Sequence, residues 1–542
     1  MNWLTKNESG KPLCNFRVHI ISSDNIYMDA GKIPIHYACF SIDFGGDSRE
    51  NAKVHRVPVV ELDRINWREL DIKCRYNPDI TKSAVERYLY DSVRQNLQMA
   101  SRRTVYRFSH AGMYLIEGKP VFCTGTEVIH DHSFGSNILF EPDLKCQKLD
   151  VDEKLSEEEA ATEFFRLLPL SPDPARIIST YRLGFFMRPA YERIGKVPKG
   201  CIYLCGRSGT QKTTFSSVLV QAYDRENGIK NPSRLNASVP AAVNMLLENP
   251  NEVVIMDDLC PTDSKDSQRQ MEKTLIEITR YIADGTTPAR MRGKNLSQGY
   301  PQCGVIFTGE YLIGRGSDAA RLLPVEMTKP DTKELRYFQE HPLIVSTFYR
   351  NYITWFIYHY DEICDILKQL LETYENNAPC VHDRLREMYF FLGSSYFLFL
   401  QYLFEIKLLP EPDARRLYQA FDELLVMLIN QQNERVIGKR SENLENEDYL
   451  QQIRMLYKTG QMSIARDAGM FDKKLHDGLL HNNRLYLRRD RLPAYFPDST
   501  IEDIAGSLET QGALETGKKS RTKQINRLNG MRFYVILLRY LN

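Results

Sequence analysis

Lys212 and Thr213 close the run Gly206-Arg-Ser-Gly209-Thr-Gln-Lys212-Thr213-Thr214, which follows the apolar stretch Cys201-Ile-Tyr-Leu-Cys205. Strand, glycine-rich loop and helix in this order form the context of a phosphate-binding loop. Glycines let backbone N–H groups curl round phosphate oxygens, and the N-terminus of the following helix adds its positive dipole end. The expected cradle is Gly206, Arg207, Ser208, Gly209, Thr210, Gln211, Lys212, Thr213 and Thr214. Lys212 is expected to reach the β- and γ-phosphates of ATP, and the Thr213 hydroxyl to ligate Mg²⁺. The last glycine of the G-x-x-x-x-G-K-[ST] pattern is replaced by Gln211. A side chain there stands where the backbone approaches the nucleotide, so altered affinity is expected.

Further chemistry follows at fixed distances. Glu252-Val-Val-Ile-Met-Asp257-Asp258 is an apolar strand ending in two acids, about 45 residues past Lys212. Asp257 is expected to hold Mg²⁺, directly or through water, and Asp258 to polarise the attacking water; the plainer reading is a buried strand followed by an acidic turn. A third strand, Gly304-Val-Ile-Phe-Thr308-Gly-Glu310, places Thr308 at its polar end, where it is expected to lie beside the γ-phosphate. Arg321, past this strand, is read either as a finger acting on a neighbouring subunit's phosphoryl group or as a surface residue in a salt bridge.

Two basic stretches are candidates for nucleic acid. Asp284-Gly-Thr-Thr-Pro-Ala-Arg290-Met-Arg292-Gly-Lys294 precedes the third strand. Ring-shaped helicases project a basic hairpin tip from this place, and phosphate contacts need cations on an exposed turn. Arg290, Arg292 and Lys294 suit such a tip; they also suit a nucleotide contact at a subunit interface, or a solvated basic turn. The second stretch, Thr516–Arg527, carries Lys518, Lys519, Arg521 and Lys523. From residue 511 to 542 there are seven basic residues against one acid, the sharpest local footprint for nucleic acid, although a solvated loop or a protein-docking wing shares that composition.

These stretches need elements to position them. A chain of 542 residues is expected to form about three to four domains. Its net charge of +1 excludes a global basic field, so any nucleic-acid binding is local. Eleven scattered cysteines without a Cys-x-x-Cys pair read as a reduced, cytoplasmic protein. Cys123, His130, His132 and Cys146 match no common zinc spacing. The first ten residues have no apolar leader. The longest uncharged apolar run, Tyr389–Phe404, falls short of the about 20 residues a membrane span needs, so no membrane association is expected.

Residues 1–150 alternate in short apolar runs around a helix at Lys82–Met99, a strand-rich α+β domain. Residues 151–199 form a linker and helical lead-in, with helices expected at Glu157–Leu168 and, after a break at Pro169–Pro174, at Ala175–Ile194. Residues 200–335 form the α/β core. Residues 336–440 are helical, with helices expected at Leu343–Leu371, Asp383–Ile406 and Asp413–Asn433. Residues 447–542 form a small basic domain whose pattern resembles a winged helix, with Met462–Asp467 read as helical.

The core motifs Gly206–Thr214, Val253–Asp258, Asp284-Gly to Arg290, Phe307-Thr-Gly-Glu310 and Ala320-Arg321 resemble one family. It is the bacterial P-loop ATPase domain of unknown function found in primase–helicase-like proteins of plasmids, phages and integrative elements, similar to AAA+ and superfamily 3 helicase ATPases. The resemblance covers about residues 175–330. Gln211 and Asp258 depart from it, standing where the family often has Gly and Glu. It implies an AAA+-like P-loop core that hydrolyses ATP with Mg²⁺, assembled as a homo-oligomeric ring such as a hexamer on single-stranded or forked DNA. The expected function is a DNA helicase serving the replication of a mobile genetic element. The alternatives are an ATP-switched DNA-binding initiator or regulator, and a phage-defence ATPase that works through a protein partner. Lys212, Asp258, Thr308 and Arg321 are the expected catalytic residues.

Overall fold

Four of the core's strands are apolar almost throughout, as strands buried on both faces must be. The computed structural model describes residues 3–45, 53–143, 148–220, 233–235, 238–261, 265–292, 295–313, 317–380, 382–445, 449–496, 501–515, 522–524, 528 and 531–540. The chain divides into two compact units, residues 1–314 with 320–430, and residues 315–319 with 431–542.

In the first unit, strands β1 (Arg17–Met28), β2 (Ile35–Asp43), β3 (Val54–Pro58), β4 (Arg102–Phe108) and β5 (Ile138–Pro142) form a mixed sheet of order β5-β4-β1-β2-β3. Helix α1 (Lys82–Met99) buries Val85, Leu89 and Val93, spaced one helical turn apart, in a cluster with Phe40 and Trp67. Strand residues Asp24, Arg56, Arg103 and Glu141 form an ion network in which Asp24 is fully buried and accepts two 2.9 Å hydrogen bonds from Arg103. Burial raises the Asp24 pKa, but the bonds from Arg103, Cys39 and Ser22 outweigh it and hold the carboxyl below its ordinary value. Of the zinc-like set, Cys123 is buried, His130 Nδ1 lies 2.6 Å from the Asp131 carbonyl oxygen, and Cys146 lies outside the described residues.

Helix α2 (Glu157–Phe165) starts in a capping box between Ser156 and Glu159. The expected helix Ala175–Ile194 is instead two helices, α3 (Pro172–Phe186) and α4 (Arg188–Arg193). The prolines before Ala175 do not delay α3, because proline fits the first helical turn, where its missing N–H is not needed. The core sheet follows: β6 (Cys201–Cys205), β7 (Ser233–Arg234), β8 (Val253–Leu259), β9 (Gly304–Gly309) and β10 (Leu322–Glu326), all parallel, in the order β7-β8-β9-β6-β10. Alternate residues serve two cores. Ile202, Leu204, Ile255 and Ile306 pack with α3, whereas Tyr203, Met256, Val305 and Phe307 pack with Leu275 and Ile278 of α5 (Lys265–Asp284).

The helical region comprises Leu343–Tyr358, Tyr360–Asn377, α6 (Asp383–Glu405) and Glu411–Glu445. The single helix expected over Leu343–Leu371 breaks at His359, at φ −106 and ψ 16. No proline or glycine marks the break, and the apolar period runs through it. These helices join the sheet's first core. Glycines mark the closest approaches: a Cβ on Gly184 of α3 would meet Phe391 and Ser395 of α6 at 2.5 Å, and one on Gly200 would collide with Met388.

In the second unit, helices Tyr449–Lys458 and Ile501–Thr510 pack on a sheet centred on the antiparallel strands Gly478–His481, Arg484–Arg488 and Arg532–Leu537. The helix expected at Met462–Asp467 is absent; Ile464–Ala465 is a short strand paired with Gly478 and Leu479. The partner that decides its conformation is non-local. No described helix is long and apolar enough to cross a membrane.

Candidate functional site

The strand order puts β9 between β6 and β8, so three strand ends meet at one edge. β6 ends at Cys205, the loop Gly206–Gln211 follows, and helix α7 (Lys212–Val220) begins at Lys212. The loop's start is tied to both neighbouring strands' ends: Gly206 N–H donates to the Gly309 carbonyl at 3.1 Å, and Met327 N–H to the Cys205 carbonyl at 2.7 Å. Gly209, at φ +81, turns the exposed tip. Gln211 takes φ 59, a left-handed conformation that costs a non-glycine residue about 1–2 kcal/mol. Its Oε1 is buried without a hydrogen-bond partner. Lys212 Nζ donates to the carbonyls of Gly206 at 2.8 Å and Arg207 at 3.1 Å, so its ammonium lies within the loop.

One carboxylate gathers the neighbouring strands. Asp257 Oδ1 accepts from the Thr213 hydroxyl at 2.5 Å and from the Thr308 hydroxyl. A bulge permits this. Strand pairing passes from Met256–Phe307 to Leu259–Gly309, giving β8 one extra residue, and bulges re-aim side chains at functional edges. Asp258, at φ 77, is exposed, and its N–H donates to Thr308 Oγ1 at 3.2 Å. Buried Thr308 thus holds both consecutive acids, one by its proton and one by its lone pair. Beside them, burial and then the Asp258 carboxylate push the Cys260 thiol pKa up. Thr213 and Asp257 are hard oxygen donors on adjacent elements, a set that fits Mg²⁺. The cation would add Lewis acidity toward phosphate oxygens.

The other expected residues lie elsewhere. Arg321 is buried, with its Nη2 3.4 Å from Asp284 Oδ1 at the end of α5. Arg290 and Arg292 lie on strand Arg290–Arg292, antiparallel to Asn295–Ser297; their side chains and Lys294 are outside the described residues. Lys518, Lys519 and Arg521 are also outside them, and Lys523 pairs with Glu515 at 2.6 Å. Arg384, at the start of α6, also faces Asp284. No local motif marks it in the sequence.

Neither a family model nor a curated protein matches the sequence. Solved structures do. One described as SCCmec type IV Cch, an active helicase, aligns over 98% of this chain and 95% of its own, at 11% identity and a TM-score of 0.55. Weaker matches are an apo form of the NrS-1 C-terminal region, at TM-score 0.29, 12% identity and 92% and 94% coverage, and a JCV helicase, at 0.21, 16% identity and 44% and 74% coverage. Only the first carries an argument, and at its identity the argument concerns architecture: over nearly its whole length, this chain has the fold of a solved helicase.

Proposed function

We propose that this protein is an ATP-dependent DNA motor, a helicase. The observation that carries the reading is Asp257 gathering Thr213 and Thr308 beside the Lys212 loop, at the carboxyl ends of adjacent parallel strands, where ligands of open α/β sheets bind. The helicase-type fold supports it. Phosphoryl transfer needs positioning and charge stabilisation more than covalent help. Lys212 neutralises the β- and γ-phosphate oxygens, Thr213 and Asp257 hold Mg²⁺, and Asp258 polarises the attacking water. Thr308 fixes the two acids. Arg321, supplied by a neighbouring subunit of a ring, stabilises the transferred group. Arg290, Arg292 and Lys294 meet DNA phosphates in the ring's channel, with the basic C-terminal region, a winged helix in this reading, as a second contact. The protein serves the replication of a mobile element in the cytoplasm.

Gln211 favours a second reading. Its strained backbone and buried carbonyl suit slow turnover, as in an initiator that uses ATP to set its assembly state. The deciding measurement is ATP hydrolysis with and without single-stranded DNA, alongside Lys212→Ala, followed by strand displacement on a fork. The motor reading requires DNA-stimulated hydrolysis and unwinding, both lost in Lys212→Ala. Hydrolysis indifferent to DNA with no unwinding would move the assignment to the switch, and absence of nucleotide binding would overturn both.

A further inference from the structure

Asp284 ends the 20-residue helix α5. A carboxylate there faces the negative end of the helix dipole and is the wrong charge for its place. Two guanidinium groups answer it: Arg321 Nη2 at 3.4 Å and Arg384 Nη2 at 4.0 Å from the same oxygen, Asp284 Oδ1. They come from separate elements, Arg321 from the turn Ala319–Arg321 before β10 and Arg384 from the first turn of α6. The Arg321 side chain is only 8% exposed, whereas that of Asp284 is 52% exposed. One partner of this buried cation is therefore a carboxylate that opens to solvent. On the other side, Asp284 leads directly to the basic hairpin. Gly285 turns the chain at φ +67, and Thr287 and Gly299 close the stem, with Thr287 N–H donating to the Gly299 carbonyl at 2.9 Å and Gly299 N–H to Thr287 Oγ1 at 3.1 Å.

We propose that Asp284 is a positioning residue that sets Arg321 for the neighbouring subunit's nucleotide and makes that setting depend on the hairpin. The inference rests on the reading of Arg321 as a group acting in trans. Solvent reaches the Asp284 side of the pair and weakens it, so a displacement of the hairpin stem that moves the Asp284 carboxylate redistributes Arg321 between that carboxylate and a phosphoryl oxygen. Arg384 gives the device its return position, because it keeps Asp284 neutralised while Arg321 is engaged. In this proposal the element with two positions is the Arg321 guanidinium itself, rather than a path drawn through intervening residues.

The test uses Asp284→Asn, which keeps the shape and removes the charge, in the full-length assembled protein. DNA-stimulated hydrolysis is expected to fall about tenfold, with KM for ATP unchanged. Mixing Asp284→Asn subunits with Lys212→Ala subunits is expected to raise hydrolysis above that of either variant alone, since one supplies an intact loop and the other an intact arginine. A purely structural defect would not be recovered in this way. Asp284→Glu, which restores the charge one methylene further out, is expected to lie between wild type and Asp284→Asn. Full stimulation in Asp284→Asn overturns the inference. So does failure of its mixture to recover when the mixture of Arg321→Ala with Lys212→Ala does. If the Arg321 mixture also stays inactive, the trans reading of Arg321 falls, and the inference falls with it.

Discussion

The two ends of the parallel sheet are built from the same strands and do different work. At the amino ends buried charge is paired and neighbouring strands are pinned together, at the cost of one positive φ, at Asn251 (φ 62), and a buried Arg182 Nε without a hydrogen-bond partner. Arg182 of α3 is fully buried, donates to Glu252 Oε2 at 2.6 Å and to the Asn251 carbonyl at 3.1 Å, and lies 3.9 Å above the Phe186 ring. The Tyr181 hydroxyl donates to the Gly200 carbonyl at 2.8 Å and accepts from Val305 N–H at 3.0 Å, spanning two strands; burial raises the phenol pKa well above its ordinary value. At the carboxyl ends costs are kept. Gln211 and Asp258 have positive φ, and Gln211 leaves a buried carbonyl without a donor. Strain of this kind persists where the surrounding structure overrides it, and it gathers at functional sites. One end holds the strands in register, and that rigidity lets the other carry a strained arrangement of charged and hydroxyl groups.

Four substitutions break or sharpen this contrast. Arg182→Ala removes the guanidinium that neutralises buried Glu252 and is expected to cost about 3–5 kcal/mol of stability in denaturant unfolding; hydrolysis per folded molecule should stay unchanged. Lys212→Ala is the mirror case. Its hydrolysis rate should drop about 10²–10³-fold, on the scale of losing one preorganised charge stabiliser, with the thermal midpoint of the nucleotide-free protein unmoved. A large shift in that midpoint would erase the proposed division between the ends. Tyr181→Phe should cost about 1–3 kcal/mol, because it strands a part-buried carbonyl and a buried N–H, again without a change in KM. The smallest effect runs the other way: Gln211→Gly relieves a left-handed backbone worth about 1–2 kcal/mol against the about 0.4–1 kcal/mol of extra chain entropy that glycine loses on folding, a net stabilisation. If calorimetry shows Gln211→Gly to be destabilising, the carboxyl end is not storing strain at that residue.

Much of the core's secondary structure could be read locally, because apolar run length and glycine placement report strands and turns directly. The helix at Lys82–Met99 showed its turn-spaced Val85, Leu89 and Val93 in the same way. What escaped was non-local. Arg182 and Glu252 stand far apart in sequence and carry no shared motif. Thr308 was expected to face the phosphate, but its bonds to Asp257 and Asp258 depend on an extra residue in β8 that no composition signal announces. The strand at Ile464–Ala465 is settled by its pairing partner rather than by its own residues, and no proline or glycine marks the break at His359. Arg384 became visible only when the fold carried it to Asp284.

The missing side chains at Gly184 and Gly200 have a consequence for how such proteins diversify. Phe391, Ser395 and Met388 of α6 occupy the space that a Cβ at those two glycines would need. The lead-in that carries Gly184 and Gly200 therefore cannot take larger residues at those positions while α6 keeps Phe391, Ser395 and Met388, and a chain cut at residue 335 would expose the apolar surface that α6 now covers. Recombination that reshuffles this protein is constrained to treat the residues from α3 through α6 as one heritable block.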